Sequence, residues 1–180
     1  MTSILSIIHK YDLAILYFIN NHCRCPILDK AMPMITSLGN KAFIWIVIAI
    51  ILMFNKKYRN AGIMVICAML LGSLLGDCII KNAIHRARPY EHLSTIKLLI
   101  AKQLTYSFPS GHTVYSFAAF GILMKKLPKY RFYALAMALI IAFSRMYLFV
   151  HYPTDILGGI IVGLLSAWIV LKVNEHFFTN

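Results

Sequence analysis

The sequence predicts an all-α fold, a polytopic membrane helical bundle of about six transmembrane helices. Of its 180 residues, 60% are hydrophobic and only 13% are charged, a composition typical of integral membrane proteins rather than soluble domains. The apolar residues gather in six segments, and strongly basic loops follow two of them. Since no long linker, low-complexity run or internal repeat divides the chain, residues 1–180 are expected to form a single membrane domain.

Each apolar segment is expected to form one membrane-crossing helix. The segments lie near residues 3–20, 42–54, 61–80, 113–124, 132–150 and 156–171. Several are shorter than the roughly 20 residues that span a bilayer core. His9, Lys10 and Asp12 interrupt the first segment, so a helix lying in the interface is its alternative. Residues 27–39 are expected to form a short helix or re-entrant segment before the second crossing.

The basic loops predict the orientation. NKKYRN at 55–60 and KKLPKYR at 125–131 face the cytoplasm by the positive-inside rule. Residues 21–41, 81–111 and 151–155 then lie on the outer side, and the C-terminus lies in the cytoplasm. The outer loops also contain Lys and Arg, against that rule, and a phosphate-binding site would explain them.

The formal net charge of +12 does not indicate nucleic acid, because the basic residues form short clusters rather than one polar face. The lipid bilayer and a phosphorylated membrane lipid are the expected partners. The cysteines predict neither a metal site nor a disulfide. Cys23 and Cys25 are separated by one residue with no second pair of ligands, and Cys67 and Cys78 lie within one apolar segment.

KNAIHRARPY, which begins at Lys81, is the first of three polar clusters, and ionisable groups near membrane depth usually mark function. If the third crossing continues as a helix, Lys81, His85 and Arg88 share one face while Arg86 points the other way. Pro89 disfavours the helical conformation at Arg88, so the helix is expected to end there. The alternative is a set of basic side chains that reach lipid phosphates from a helix end.

SFPSGHT, which begins at Ser107, is the second cluster. A proline, Ser110 and Gly111 ahead of an apolar run predict a helix start whose free backbone N–H groups and positive dipole end can bind an anion. His112 then lies in the first turn beside that anion. An ordinary helix start that contains a histidine is the alternative.

SRMYLFVHYPTD at 144–155 is the third cluster. Arg145 is expected near the outer end of the fifth crossing, and Pro153 suits the first turn of the sixth helix. Asp155 falls in that turn, where it would at least complement the helix dipole. A carboxylate four residues after His151 can also accept one imidazole N–H and leave the other nitrogen as a nucleophile.

Together the three clusters resemble the signature of the type 2 phosphatidic acid phosphatase superfamily. The resemblance spans residues 81 to 155 and rests on Lys81, Arg88-Pro89, Pro109-Ser110-Gly111-His112, Ser144-Arg145, His151 and Asp155. It implies that His151 attacks phosphorus to form a phosphohistidine, that Asp155 orients it, and that His112 protonates the leaving oxygen. It further implies that the phosphoryl oxygens are bound without any metal or cofactor by Lys81, Arg88, Ser110, Gly111 and Arg145.

The chemistry of phosphoryl transfer agrees with these implied roles, because fixed cations and helix-start N–H groups stabilise charge on the equatorial oxygens. His151 must be neutral to attack and His112 charged to donate, which predicts a bell-shaped pH–rate profile. Asp77 is expected to be a buried polar partner within the bundle.

The expected function is that of a metal-independent lipid phosphatase of the bacterial plasma membrane, with its active site at the outer membrane–water interface. Five aromatic residues near the site favour a head group delivered from the bilayer: Tyr106, Phe108, Tyr147, Phe149 and Tyr152. Undecaprenyl diphosphate ranks first as substrate, and phosphatidylglycerophosphate or phosphatidic acid is the alternative. A lipid-phosphate binder or transporter is the non-enzyme alternative. The sequence does not predict an oligomeric state.

Overall fold

The computed structural model describes residues 4–92 and 96–178, and all regular structure within them is helical, which confirms the expected fold class. The nine α-helices are α1 (Ile4–His22), α2 (Pro26–Gly39), α3 (Phe43–Phe54), α4 (Arg59–Ser73), α5 (Lys81–Ile84), α6 (Pro89–His92), α7 (Gly111–Lys126), α8 (Arg131–Tyr147) and α9 (Pro153–Phe178). A π-helical stretch, Leu74–Ile80, joins α4 to α5, and 3-10 turns occupy Asn40–Ala42 and Pro128–Tyr130.

The predicted apolar segments coincide with helical structure, except for residue 3, which lies outside the described residues, and residues 148–150, which form the turn after α8. The expected short helix at 27–39 is α2. Within the described residues, three helical stretches are long and apolar enough to cross a membrane: Pro26–Phe54, Arg59–His92 and Pro153–Phe177. The helices α7 and α8 are apolar but shorter, with 16 and 17 residues. The count of six crossings therefore stays a prediction, whereas the membrane-protein class is clear.

The chain between Lys81 and Arg88 differs from the expectation. The helix ends at Ile84 rather than at Arg88, because His85 adopts a left-handed conformation with φ of 50°. Pro89 restricts only the residue before it, and here it opens α6. Lys81 and Arg88 therefore do not share a helix face, and residues 85–88 form an irregular segment.

The helix α7 lies at the centre of the bundle and packs against α4, α8 and α9. All its residues from 116 to 123 are buried, and Trp45 of α3 donates a hydrogen bond to Ser116 at 2.9 Å. The helices α7 and α9 approach closely, because a Cβ at Gly163 would lie 2.5 Å from the Val114 carbonyl oxygen. This contact aligns the beginnings of the two helices, where the second and third polar clusters lie.

Candidate active site

The three polar clusters meet at one end of the bundle. The backbone N–H of Ser110, just before α7, donates to the Asp155 carbonyl at 3.1 Å. The guanidinium of Arg88 donates to the Val150 carbonyl at 2.8 Å. Arg88, which is more than 60 positions from His151 in the chain, is thereby fixed beside it, as the resemblance implies.

His151 is buried in the turn between α8 and α9, with its two ring nitrogens in opposite surroundings. Nε2 lies 3.3 Å from Nη1 of Arg88. A guanidinium only donates, so Nε2 offers its lone pair in this contact and Nδ1 carries the proton. Nδ1 lies 3.4 Å from Oδ2 of Asp155, a long contact, and has no other partner within hydrogen-bonding distance.

Burial lowers the pKa of His151 to about 3, and the nearby charges of Arg88 and Arg145 lower it as well, against the opposing effect of Asp155. A histidine with this pKa is neutral near pH 7. The side chain therefore has the tautomer and the charge state that a nucleophile at Nε2 requires.

Asp155 lies in the first turn of α9, as predicted, and is fully buried. Its Oδ2 accepts hydrogen bonds from the Tyr152 backbone N–H at 2.8 Å and from the Ser107 hydroxyl. Its Oδ1 accepts from Nη1 of Arg86 at 2.6 Å. These donors hold the carboxylate in one orientation, with Oδ2 toward His151.

The guanidinium of Arg88 is buried and bound to neutral acceptors. Nε donates to the Thr105 carbonyl at 2.7 Å, and Nη2 donates to the Thr105 hydroxyl at 3.1 Å. Glu91 contacts only the backbone N–H of Arg88, at 2.9 Å. The position of the guanidinium is fixed while its charge is not neutralised by a carboxylate.

Arg145 is a second buried cation of the same cluster. Its Nη1 donates to the Thr36 hydroxyl at 2.6 Å, and its Nε has no hydrogen-bond partner. The described residues include all six acidic side chains, and none of them forms an ion pair with Arg88 or Arg145. Arg88 and Arg145 repel each other, and their burial costs free energy unless an anion lies beside them. This pair of cations is therefore suited to bind phosphate.

The start of α7 lies beside these cations. The first N–H groups of a helix have no intrahelical acceptor and attract anions, and Ser110 precedes them, with its side chain buried. His112 lies in the first turn, as predicted, and its Nε2 is 3.0 Å from Oδ1 of Asn40. A Cβ at Gly39 would lie 2.5 Å from Cδ2 of His112. The end of α2 therefore fixes the position of this imidazole.

Lys81 differs from the other predicted cations because it forms an ion pair. Its Nζ lies 2.6 Å from Oδ1 of Asp77 in the π-helical stretch, and the Tyr115 hydroxyl donates to the other oxygen of that carboxylate. A Cβ at Gly111 would lie 3.2 Å from the Asp77 carboxylate. Lys81 thus lies near the start of α7. Asp77 is a polar partner within the bundle, but it is partly exposed rather than buried as predicted.

Sequence reasoning missed several residues of this site. Arg86 does not point away from it but binds Asp155 and, through its other nitrogen, Asp12 of α1. The only sequence signal for Asp12 is a carboxylate inside an apolar segment. Neither Thr36 nor Asn40 carries a distinctive motif, and both reach the site from α2 and the turn after it.

The five aromatic residues near the predicted site differ in exposure, and only Tyr106 and the half-buried Phe108 have accessible surface. Tyr147, Phe149 and Tyr152 are buried, because they pack inside the turn between α8 and α9. Tyr106 is exposed and lies against His85, with ring centroids 4.4 Å apart. A bilayer-delivered head group can therefore meet Tyr106 but not the three buried rings.

Comparison with protein families shows a match of residues 61–178 to the PAP2 superfamily. An undecaprenyl-diphosphatase of Sulfolobus acidocaldarius is 27% identical over 155 residues, which cover 86% of this chain and 73% of the relative. Phosphatidylglycerophosphatase B of Bacillus subtilis is 31% identical over 166 residues, 84% of this chain and 78% of the relative.

The fold is also similar to solved structures. The crystal structure of a transmembrane PAP2-type phosphatidylglycerolphosphate phosphatase from Bacillus subtilis has a TM-score of 0.77 and 29% identity, and the match covers 95% of this chain and 88% of that one. Aquifex aeolicus LpxE also has a TM-score of 0.77, with coverage of 89% and 94% and 29% identity. These matches confirm the resemblance inferred from the three motifs.

Proposed function

The chain belongs to the PAP2 superfamily, and its similar relatives are lipid phosphatases. We propose that it hydrolyses the phosphomonoester or diphosphate head group of a membrane lipid through a phosphohistidine at His151. One observation carries the proposal. His151 contacts the Asp155 carboxylate at Nδ1 and the Arg88 guanidinium at Nε2, and the charge of Arg145 acts on it as well. Both guanidinium groups are buried and pair with no acidic side chain. A binder needs the cations, but it does not need a neutral imidazole held by a carboxylate.

In the first step, the lone pair of His151 Nε2 attacks phosphorus and the bond from phosphorus to the lipid oxygen breaks. That oxygen takes a proton from His112, so the product leaves as a neutral alcohol or, from a diphosphate, as a protonated phosphate. Arg88 and Arg145 stabilise the charge on the equatorial oxygens together with the N–H groups at the start of α7. Asp155 stabilises the positive charge that develops on His151.

In the second step, water attacks the phosphohistidine, and the bond from phosphorus to Nε2 breaks. His112, now neutral, takes the proton that the water loses, and inorganic phosphate is released. Burial lowers the pKa of His112, and so does the charge of Arg145, while a bound phosphate favours the protonated form. Substrate binding therefore prepares His112 for the first step.

A lipid diphosphate is the preferred substrate, with undecaprenyl diphosphate ranked first and phosphatidylglycerophosphate or phosphatidic acid as the alternative. The names of the two curated relatives support these choices. The proposed location is the plasma membrane with the site at its outer surface and the C-terminus in the cytoplasm, which the basic loops at 55–60 and 125–131 support.

Phosphate release from purified protein in detergent tests this proposal. The substrates are undecaprenyl diphosphate, phosphatidylglycerophosphate and phosphatidic acid, each measured with and without a chelator. The wild type should release phosphate equally with the chelator present, and kcat/KM should be highest for undecaprenyl diphosphate. His151→Ala should reduce release by at least about 10³-fold, because it removes the nucleophile.

His176→Ala is the matched control, because His176 is an exposed histidine at the other end of α9, and it should retain wild-type activity. Unchanged hydrolysis by His151→Ala, or loss of activity on chelation, would contradict the mechanism. Binding of all three lipids without any hydrolysis by the wild type would favour the non-enzyme alternative.

A further inference from the structure

We propose that Asp12 and Arg86 are positioning residues for the His151–Asp155 pair, which makes α1 part of the catalytic apparatus. The inference rests on the proposed function, since it assigns a role within the same site. Arg86 bridges two carboxylates, with Nη1 2.6 Å from Asp155 Oδ1 and Nη2 2.6 Å from Asp12 Oδ2. The planar guanidinium can hold both carboxylates in fixed directions, whereas a lysine ammonium is a point charge without that geometry.

Arg86 is also fixed from its flat side. Its guanidinium carbon lies 4.1 Å from the ring centroid of Tyr152, a distance at which a cation on an aromatic face is stabilised. The Tyr152 backbone N–H donates to Asp155 at 2.8 Å. One residue of the turn thus orients both the guanidinium and the carboxylate that it binds.

Asp12 is buried, with 1% of its surface exposed. Besides Arg86, it accepts two hydrogen bonds from Thr154 in the first turn of α9, one from the backbone N–H at 3.0 Å and one from the hydroxyl at 2.6 Å. A buried carboxylate in an apolar helix is costly, and an apolar side chain would pack α1 at least as well. Its partner Arg86 explains the position of Asp12 better, because Arg86 also binds Asp155, the carboxylate that orients His151.

The arrangement suggests how Asp12 acts on His151. Of the six acidic residues, only Asp12 and Asp155 form ion pairs with Arg86. Asp12 holds one side of the guanidinium away from Asp155. Without that attraction, Arg86 moves toward Asp155 and competes with His151 Nδ1 for Oδ2. His151 would then lose the partner that fixes its tautomer and stabilises its charge in the transition state.

Asp12→Asn tests this inference, because asparagine keeps the size and an acceptor for Thr154 but removes the charge. We expect kcat for phosphate release to fall about 10- to 100-fold, as for other groups that orient a reacting side chain. KM should be unchanged, since Arg88 and Arg145 are untouched. Asp12→Glu, which restores the charge, should recover most of the lost kcat.

Asp29→Asn is the matched control. Asp29 also pairs with an arginine, Arg24, and ties α2 to α8 through the Tyr147 hydroxyl at 2.6 Å, but it has no bond to Asp155. Thermal unfolding is measured for both variants. A structural role alone predicts that Asp12→Asn lowers the unfolding temperature while kcat stays at the value of Asp29→Asn, and that result would overturn the inference.

Arg86→Lys provides a second test if Asp12→Asn does not fold. It keeps the positive charge but cannot bind both carboxylates in the same geometry, so kcat should fall with KM unchanged. Wild-type kcat in Arg86→Lys would refute the positioning role. Failure of the inference stays distinct from failure of the proposed function, because the latter would appear as an inactive wild type or an active His151→Ala.

Discussion

His151 separates two regions of opposite charge. Arg88, which contacts Nε2, and the nearby Arg145 are buried without a carboxylate, whereas on the Nδ1 side Arg86 is bound to Asp12 and Asp155. Arg86 and Arg88 are two positions apart in the chain, so residue type and sequence neighbourhood do not decide their roles. The acceptors that the fold brings to each guanidinium decide which one is neutralised and which one can bind an anion.

In the proposed mechanism, this segregation gives the two nitrogens of one imidazole different functions. A carboxylate beside Nδ1 stabilises the positive charge that the ring acquires during attack, and cations beside Nε2 stabilise the phosphoryl oxygens. A carboxylate on the Nε2 side would compete with the substrate for the same guanidinium groups. Substitution of an unpaired arginine, Arg88 or Arg145, should therefore affect the bound phosphoryl group directly.

Arg145→Ala should have the larger effect of two further substitutions. It removes a buried cation that is held by Thr36 and leaves no charged replacement at that position. Loss of one preorganised charge at a developing oxyanion costs about 10²- to 10³-fold in kcat. Phosphate release at saturating lipid measures it, with Arg131→Ala as the control, because Arg131 is exposed at the opposite end of the same helix.

A fall in kcat of less than tenfold for Arg145→Ala would contradict the proposed difference between the paired and unpaired arginines, because it would show that the unpaired cation does not act on the transition state. The measurement also distinguishes binding from chemistry. A higher KM with unchanged kcat would assign Arg145 to ground-state binding only.

Asp77→Asn should have the smaller effect. Asp77 lies near the start of α7, and it binds Lys81 at 2.6 Å. Removing its charge weakens the repulsion of an anionic head group and releases Lys81 toward it, so KM should fall. We expect kcat to change by less than about tenfold, since a partly exposed ion pair contributes on the order of 1 kcal/mol or less.

Steady-state kinetics of Asp77→Asn test this prediction. Glu175→Gln is the control, because it removes an exposed ion pair with Lys172. A rise in KM, or a loss of kcat as large as that of Arg145→Ala, would show that Asp77 supports the site rather than opposing the substrate. In that case Lys81 would need its ion pair in order to function.

The sequence predicted the site where local rules apply. Pro153 begins α9 and Gly111 begins α7, and the spacing within each motif gives the positions of His112, His151 and Asp155. Long apolar segments also predicted the helices, because hydrophobic length is a strong signal in membrane proteins.

The contacts that complete the site have no comparable signal. The ion pair of Arg86 with Asp12 joins residues 74 positions apart, and helix periodicity at Arg86 failed because His85 ends the helix. The sequence placed Tyr147 and Phe149 near the site but did not reveal that both are buried, since burial of a turn depends on the helices around it. Tertiary packing decides these features, and a single sequence does not reveal it.

Direct detection of the phosphorylated residue tests the central claim. The wild type is mixed with undecaprenyl diphosphate and denatured in alkali during turnover, because phosphohistidine is stable in alkali and labile in acid, and its peptides are analysed by mass spectrometry. The account predicts one phosphoryl group on His151, lost on acid treatment and absent from His151→Ala. A phosphoryl group on another residue, or turnover by a variant that lacks His151, would contradict it.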